Sequence, residues 1–257
     1  LVTSPLVNEY VVVLMLGFFG WKVGKRLLLD GELGDRRVRG PALVTHILSG
    51  NVPHPGIVSI CLGLLLKSAN LVKLSSRDPL LPALFVESLR EVDAQLANCV
   101  AALEWKRDEQ ELTSAALAGA DAVIAYGDDA TVASIRALSP ADAIFLGYGH
   151  KFSLGVVARE ALTQAALPAL AKAAAFDASV YDQQGCLSPH LFFIEEGGKL
   201  GPRDFAAALT EAMVAYQQRV PRGRLSTAEA AEIASIRARY EFRAATDERA
   251  RVWSSPG

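Results

Sequence analysis

From Asn51 onward the chain alternates short apolar runs with stretches of helical pattern, and this alternation limits the fold more than any other feature. The runs Leu71–Leu74, Cys99–Leu103, Ala122–Tyr126 and Ala143–Gly147 are of strand length and largely apolar, as strands are when a parallel sheet is covered on both faces. Between them Gly56–Lys67, Leu80–Leu96, Glu109–Leu117 and Ala130–Leu138 read as helices, the second with Leu84, Phe85, Leu89 and Val92 as its apolar stripe. Strands and helices in this order predict an α/β fold with a parallel sheet of nucleotide-binding type. No GxGxxG follows the first strand, so the architecture by itself names no cofactor.

After Ser153 the texture changes. An Ala-rich segment, Ala158–Ala175, reads as helix, and the polar run Gln183–His190 then leads into the apolar strand Leu191–Ile194. Two helices close the chain, Pro202–Val220 and one opened by the capping box Ser226-Thr227-Ala228-Glu229. The expected organisation is an N-terminal helical segment over 1–40, a nucleotide-binding α/β domain over 41–150 and part of a second α/β domain over 151–257. The apolar stretch Tyr10–Trp21 is shorter than the ~20 residues of a membrane span and reads as a buried helix. No basic segment precedes it, which argues against a signal peptide. A net charge of -2, with Lys and Arg scattered, leaves no footprint for nucleic acid. The start at Leu1 and the turn-like end Ser254–Gly257 suggest a fragment truncated at both ends. Its face of Ile233, Ile236, Tyr240 and Val252 would then lack a partner and promote association.

Three widely spaced cysteines, with no CxxC pair and no His at metal-ligand spacing, fit a reducing, cytoplasmic setting. Cys61 and Cys99 fall in a helix and a strand among apolar neighbours, the surroundings of packing thiols. Cys186 lies in a small, polar, turn-prone context before a strand, where it is either a nucleophile or an inert thiol. Asn51, in the loop Gly50–Gly56, either donates its amide to an oxyanion or simply forms a turn. Lys73, Ser75, Ser76 and Arg77 follow the carboxyl end of a strand, where they meet ribose or phosphate, or only solvent. Gly127 leads through Asp128 and Asp129 into a helix whose first N–H groups suit a pyrophosphate, although a carboxylate there already caps them. His54, His150 and His190 are isolated and read as loop or packing residues.

Taken together, Gly50-Asn51-Val52-Pro53, Lys73-Leu74-Ser75-Ser76, Tyr126-Gly127, Gly149-His150-Lys151 and Gln184-Gly185-Cys186 stand in the order used by the aldehyde dehydrogenase superfamily. Within it the chain resembles the LuxC-like acyl-CoA reductases, the long-chain acyl thioester reductases of bacterial luminescence, from about Leu27 onward. The resemblance implies an NADPH-dependent reduction of acyl-CoA or acyl-protein to aldehyde, with NADH as the other candidate cofactor. Cys186 would be the acyl-accepting thiolate, and the Asn51 side chain and the Cys186 N–H the oxyanion donors. Lys73, Ser75 and Ser76 would lie at the adenosine ribose and Gly127 near the pyrophosphate. Many NAD-preferring members carry an acidic residue at the place of Ser76. Hydrolytic members carry a Glu where this chain has Gly147, a difference that favours reduction, since a water-activating base would hydrolyse the acyl-enzyme. The resemblance also implies a homo-oligomer at full length and acyl-transferase or synthetase partners. The competing readings are another CoA-acylating aldehyde dehydrogenase, a semialdehyde or acyl-phosphate reductase, and an inactive nucleotide-binding module.

Overall fold

Leu43–Ile47 has four of its five residues buried, the signature of a strand inside a sheet rather than at its edge. It is β3 of a computed structural model that describes residues 32–33, 36–37, 39–52 and 54–246. Ahead of it β1 (Glu32–Leu33) and β2 (Arg36–Arg37) pair antiparallel. Both lie in the segment over 1–40 that is expected to be helical, where these four residues are strand instead; the rest of that segment, Tyr10–Trp21 included, lies outside the described residues apart from Arg39 and Gly40. The chain forms two compact units, Leu1–His150 and Lys151–Gly257.

The first unit continues through α1 (His54–Leu65), β4 (Ala69–Lys73), α2 (Leu80–Val92), α3 (Ala94–Ala97), β5 (Val100–Leu103), α4 (Gln110–Ala118), β6 (Ala122–Tyr126), α5 (Asp129–Leu138) and β7 (Ile144–Tyr148). Its five strands are parallel in the order β5-β4-β3-β6-β7. The chain runs outward from β3 to β5, returns beside β3 as β6 and continues to β7. The loops after β3 and β6 therefore diverge, and the crevice between them is where an open α/β sheet receives ligands. One core cluster joins Ile60, Cys61 and Leu64 of α1 to Val72, Val86, Leu89 and Val100. A second gathers Ile47, Leu117, Val123, Ala125 and Ile135, with α4 and α5.

Several expectations need correction. The helix expected over Leu80–Leu96 breaks at Asp93, where φ is -152°, and the Asp93 carboxylate caps α3 by accepting from the N–H groups of Gln95 and Leu96. The buried stripe of α2 is Pro82, Val86 and Leu89, at helical spacing, whereas Leu84 and Val92 are 53% and 44% exposed. Cys99 precedes β5 and directs its thiol to the Gln95 carbonyl. The central strand β3 was not anticipated, because Thr45 and His46 interrupt its apolar run.

Those two residues are fully buried and hydrogen-bonded. His46 sits between Ser59 of α1, 2.7 Å from Nδ1, and Asn70 of β4, 2.9 Å from Nε2. The Asn70 amide nitrogen donates to the Ser68 carbonyl, which turns its oxygen toward the imidazole. An oxygen only accepts, so Nε2 carries the proton and Nδ1 accepts from the Ser59 hydroxyl. A Cβ on Gly63 would lie 1.8 Å from the Asn70 oxygen, so glycine is required where α1 passes this amide. Burial pushes the pKa of His46 down to about 4, against a smaller upward pull from Asn70. The unfolded chain takes up this proton near pH 6.5 and the folded one only near 4, so stability is full above 6.5 and falls as the pH drops toward 4. The loss is about 3 kcal/mol, at roughly 1.4 kcal/mol per pKa unit. Urea midpoints at pH 7 and 4.5 should show it, and His46→Gln should flatten the dependence. An equally steep profile in that variant would assign the effect to other groups.

In the second unit β8 (Ser153–Val157) and β9 (Pro189–Ile194) pair in parallel, with α6 (Leu167–Ser179) and α7 (Pro202–Arg219) on one face. Val157 and Phe192 face the cluster of Leu162, Ala174, Ala175, Phe205 and Leu209. Leu154, Val156, Leu191 and Phe193 alternate onto the other face and are exposed. The helix expected over Ala158–Ala175 begins only at Leu167, with Pro168 in its first turn, and residues 158–166 are turns and irregular backbone. The last helix, α8 (Thr227–Thr246), is opened by the capping box: Glu229 N–H donates to the Ser226 hydroxyl and Ser226 N–H to the Glu229 carboxylate. Ile236 on α8 is exposed, Ile233 is half-buried, and the Tyr240 side chain and Val252 lie outside the described residues. Among the described residues no helix is long and apolar enough to cross a membrane.

Candidate active site

At the carboxyl edge of the first unit, glycine lets two loops meet. A Cβ on Gly50 would stand 2.5 Å from Ser75 Oγ and 2.6 Å from Arg77 Cβ, so the β3–α1 loop rests directly on the β4–α2 loop. Asn51 follows, exposed, its carboxamide oxygen accepting from the Ser49 hydroxyl at 2.7 Å. The donor end of that amide is turned away from Ser49. Ser75 Oγ accepts from the Arg77 N–H, and Ser76 is exposed. Lys73 is the last residue of β4. Its ammonium lies over the Trp105 ring, 5.4 Å from the centroid, and donates to the Leu74 carbonyl at 3.4 Å. Burial lowers its pKa, partly offset by Glu104 and Glu109.

Gly127 lies across the crevice from the Asn51 loop, just after β6. Its N–H donates to the Tyr148 carbonyl at 3.2 Å, so β6–β7 pairing uses the very group that an anion would need. The start of α5 is capped by Asp128, which accepts from Thr131 N–H. Arg107 approaches from the β5–α4 loop, donating to Thr131 Oγ1 at 2.6 Å and standing 3.8 Å from Asp128. The Thr131 bonds and Arg107 hold the Asp128 carboxyl below its usual pKa, so this helix start is anionic unless a ligand displaces the cap. Tyr126 and Tyr148 stack beside it at 4.8 Å and 11°.

The three cysteines differ sharply. Cys61 is buried, and desolvation pushes its thiol up to about 11. Cys99 is half-buried and its thiol donates to a backbone carbonyl. Cys186 alone is exposed. It belongs to the second unit, on a turn closed by the bond from Ser188 N–H to the Gly185 carbonyl just before β9. Its own carbonyl accepts from the Ser153 hydroxyl, which anchors the turn to β8. Tyr181, Asp182 and Gln183, immediately before, all have φ between 54° and 64°, a left-handed run that non-glycine residues seldom adopt. Asp182 accepts from Gly223 N–H.

Sequence reasoning passed over His46, Ser59 and Asn70, the Tyr126–Tyr148 stack and the left-handed run. For the first, the signal was a His and a Thr inside an otherwise apolar strand. Nothing in Tyr181–Gln183 announces its conformation. Among the described residues no cluster of His, Cys, Asp or Glu is arranged to hold a metal.

The parallel sheet β5-β4-β3-β6-β7 with its covering helices is an α/β fold of the aldehyde-dehydrogenase type. Solved structures bear this out. A succinate-semialdehyde dehydrogenase from Burkholderia pseudomallei superposes with a TM-score of 0.55 at 17% identity, over 73% of this chain and 37% of that one. An indole-3-acetaldehyde dehydrogenase in complex with NAD+ gives 0.55 at 18%, over 68% and 35%. At such identities the likeness concerns fold alone. A model of the family described as "Acyl-CoA reductase (LuxC)" matches residues 30–257, and the chain belongs to that family. Relatives include the long-chain acyl-protein thioester reductases of Aliivibrio fischeri, 31% identical over 77% of this chain and 42% of theirs, and of Vibrio harveyi, 28% over 84% and 47%. The chain thus spans less than half the length of the curated relatives it matches.

Proposed function

We propose that the protein reduces a fatty acyl thioester, acyl-CoA or acyl-protein, to the aldehyde with NADPH, through an acyl-enzyme on Cys186. The observation that carries this is the sorting of the three thiols within an acyl-CoA reductase family member: one on an exposed, anchored turn, two committed to packing. In the reaction the Cys186 thiolate attacks the thioester carbonyl, forming a new carbon–sulfur bond. By the pattern of the family this chain resembles, the Cys186 N–H and the Asn51 amide would be the donors to the developing oxyanion. The tetrahedral adduct collapses, the donor's carbon–sulfur bond breaks, and the donor thiol departs. A reduced nicotinamide, when bound, supplies the hydride that takes the acyl carbon to the aldehyde oxidation level. Cys186 then leaves as thiolate and releases the aldehyde. Delivery of the acyl group by transferase or synthetase partners, a homo-oligomeric assembly and a cytoplasmic setting belong to the same proposal.

The cofactor reading draws support from the β3–β6 crevice, from the close packing that Gly50 permits, and from the hydroxyls and cation around Ser75, Ser76 and Lys73. Ser76 presents no carboxylate to repel a 2′-phosphate, whereas Lys73 is positively charged. NADPH should therefore exceed NADH in kcat/KM, with long-chain aldehyde as the product. Ser76→Glu should move the ratio toward NADH by about tenfold or more through like-charge exclusion. Equal ratios in the two proteins would remove Ser76 from the ribose, and failure to form any aldehyde would sink the proposal.

A further inference from the structure

His46 links the elements that carry both loops of the candidate site. It stands one residue before the end of β3, whose following loop carries Asn51 and enters α1. Ser59, its partner on Nδ1, lies in the second turn of α1. Asn70, its partner on Nε2, lies in β4, three residues before Lys73, and Ile47 is in register with Lys73. One imidazole thus ties the helix behind the Asn51 loop to the strand behind the Lys73–Ser76 loop.

Packing alone does not call for this arrangement. All three side chains are at most 2% exposed, where apolar residues of similar volume would avoid desolvating an imidazole, a hydroxyl and a carboxamide. The polar trio offers direction instead. The Ser59 hydroxyl donates to Nδ1 and is also hydrogen-bonded to the Tyr126 phenol at the end of β6, Nε2–H donates to Asn70 and the Asn70 amide to Ser68, so rotation or axial slip of α1 against β4 breaks a bond. Gly63 adds to this by admitting the Asn70 amide at a distance no side chain would tolerate.

We propose that His46 is a positioning residue that holds the Asn51 loop and the Lys73–Ser76 loop in the mutual register at which they act. The proposal rests on the functional reading above. Ser59→Ala and His46→Asn in the full chain test it, at a temperature where both keep the wild-type circular dichroism. Each should slow acylation of Cys186 at saturating acyl-CoA by about 5- to 10-fold and weaken NADPH binding by a similar factor, the range expected for loss of one buried hydrogen bond. The acyl-CoA concentration at half-saturation should stay put, since the trio touches no acyl donor. The double variant should lose little more than the worse single one, because both break the same bond. Lower melting temperatures with wild-type acylation and NADPH affinity would reduce the trio to a stability element and overturn the proposal. If His46→Asn does not fold, Ser59→Ala, which removes one hydroxyl, decides alone. A wild-type chain that neither acylates Cys186 nor binds NADPH would overturn the reading of the site, and the proposal with it.

Discussion

Replacing Cys186 with Ala should abolish acyl-enzyme formation, while Cys61→Ala and Cys99→Ala should retain it. A thioester exchange needs a thiolate that the acyl donor can reach, and only Cys186 is exposed. Cys61 fails on both counts, being buried with its thiol raised to about 11, where under one molecule in a thousand is ionised at neutral pH. Cys99 spends its thiol proton on the Gln95 carbonyl. Loss of a covalent nucleophile typically costs about 10⁴-fold or more in rate, so no residual acylation should be seen on this timescale. Intact-mass measurement after incubation with acyl-CoA, without nicotinamide cofactor, reads the acyl group directly. Peptide mapping then locates it. Acyl mass on Cys61 or Cys99, or undiminished mass in Cys186→Ala, would reverse the assignment.

The parallel sheet was legible because its strands are desolvated on both faces, so apolar runs stand out. Ala122–Tyr126 matches β6 to the residue, and the others shift by one or two positions. Besides the two-residue strands β1 and β2, two longer strands escaped, each for a physical reason. β3 carries Thr45 and His46, whose polarity is satisfied by partners far along the chain, at Ala116, Ser59 and Asn70, which no local window reveals. β8 carries Gly155, which a Cβ could not replace without meeting the Phe192 ring at 2.5 Å. The break at Asp93 was missed because the apolar pattern runs on through Leu96, although Asp is itself a favoured cap.

Legibility of the site was uneven. Cys186 could be singled out by contrast with its two apolar-flanked counterparts, and its exposure agrees with that contrast. Lys73 was placed at a strand end, but its contact with Trp105 is a tertiary fact. Gly127 could be picked from the strand–helix junction. That its N–H pairs with Tyr148 depends on β7 lying alongside, which sequence order alone does not decide. Roles for Asn51 and Ser76 came from resemblance to a family, since an Asn in a Gly- and Pro-rich loop and a Ser after a strand are ordinary turn residues.

Asn51→Ala should slow acylation of Cys186 by about 10²–10³, with little change in fold stability. The argument starts from the loop. Gly50 seats the backbone against Ser75 and Arg77, so glycine sets much of the loop's path. Asn51 is exposed, and its oxygen is already paired with the Ser49 hydroxyl, an arrangement that fixes which end of the carboxamide donates. In the proposed role the amide donates to charge that develops on the thioester oxygen, and one such donor contributes about 2.7–4 kcal/mol to the transition state. Ala removes that donor and no buried contact. Asp keeps the shape but replaces the donor with a negative charge facing an oxyanion, so Asn51→Asp should be at least as damaging, whereas Asn51→Gln, with its donor displaced by one methylene, should fall between. Rapid-quench measurement of acyl-Cys186 at saturating acyl-CoA, alongside melting temperatures, separates chemistry from folding. Rates that track melting temperature across the series, or an Ala variant within threefold of wild type, would take Asn51 out of the mechanism and leave the Cys186 N–H as the donor to pursue.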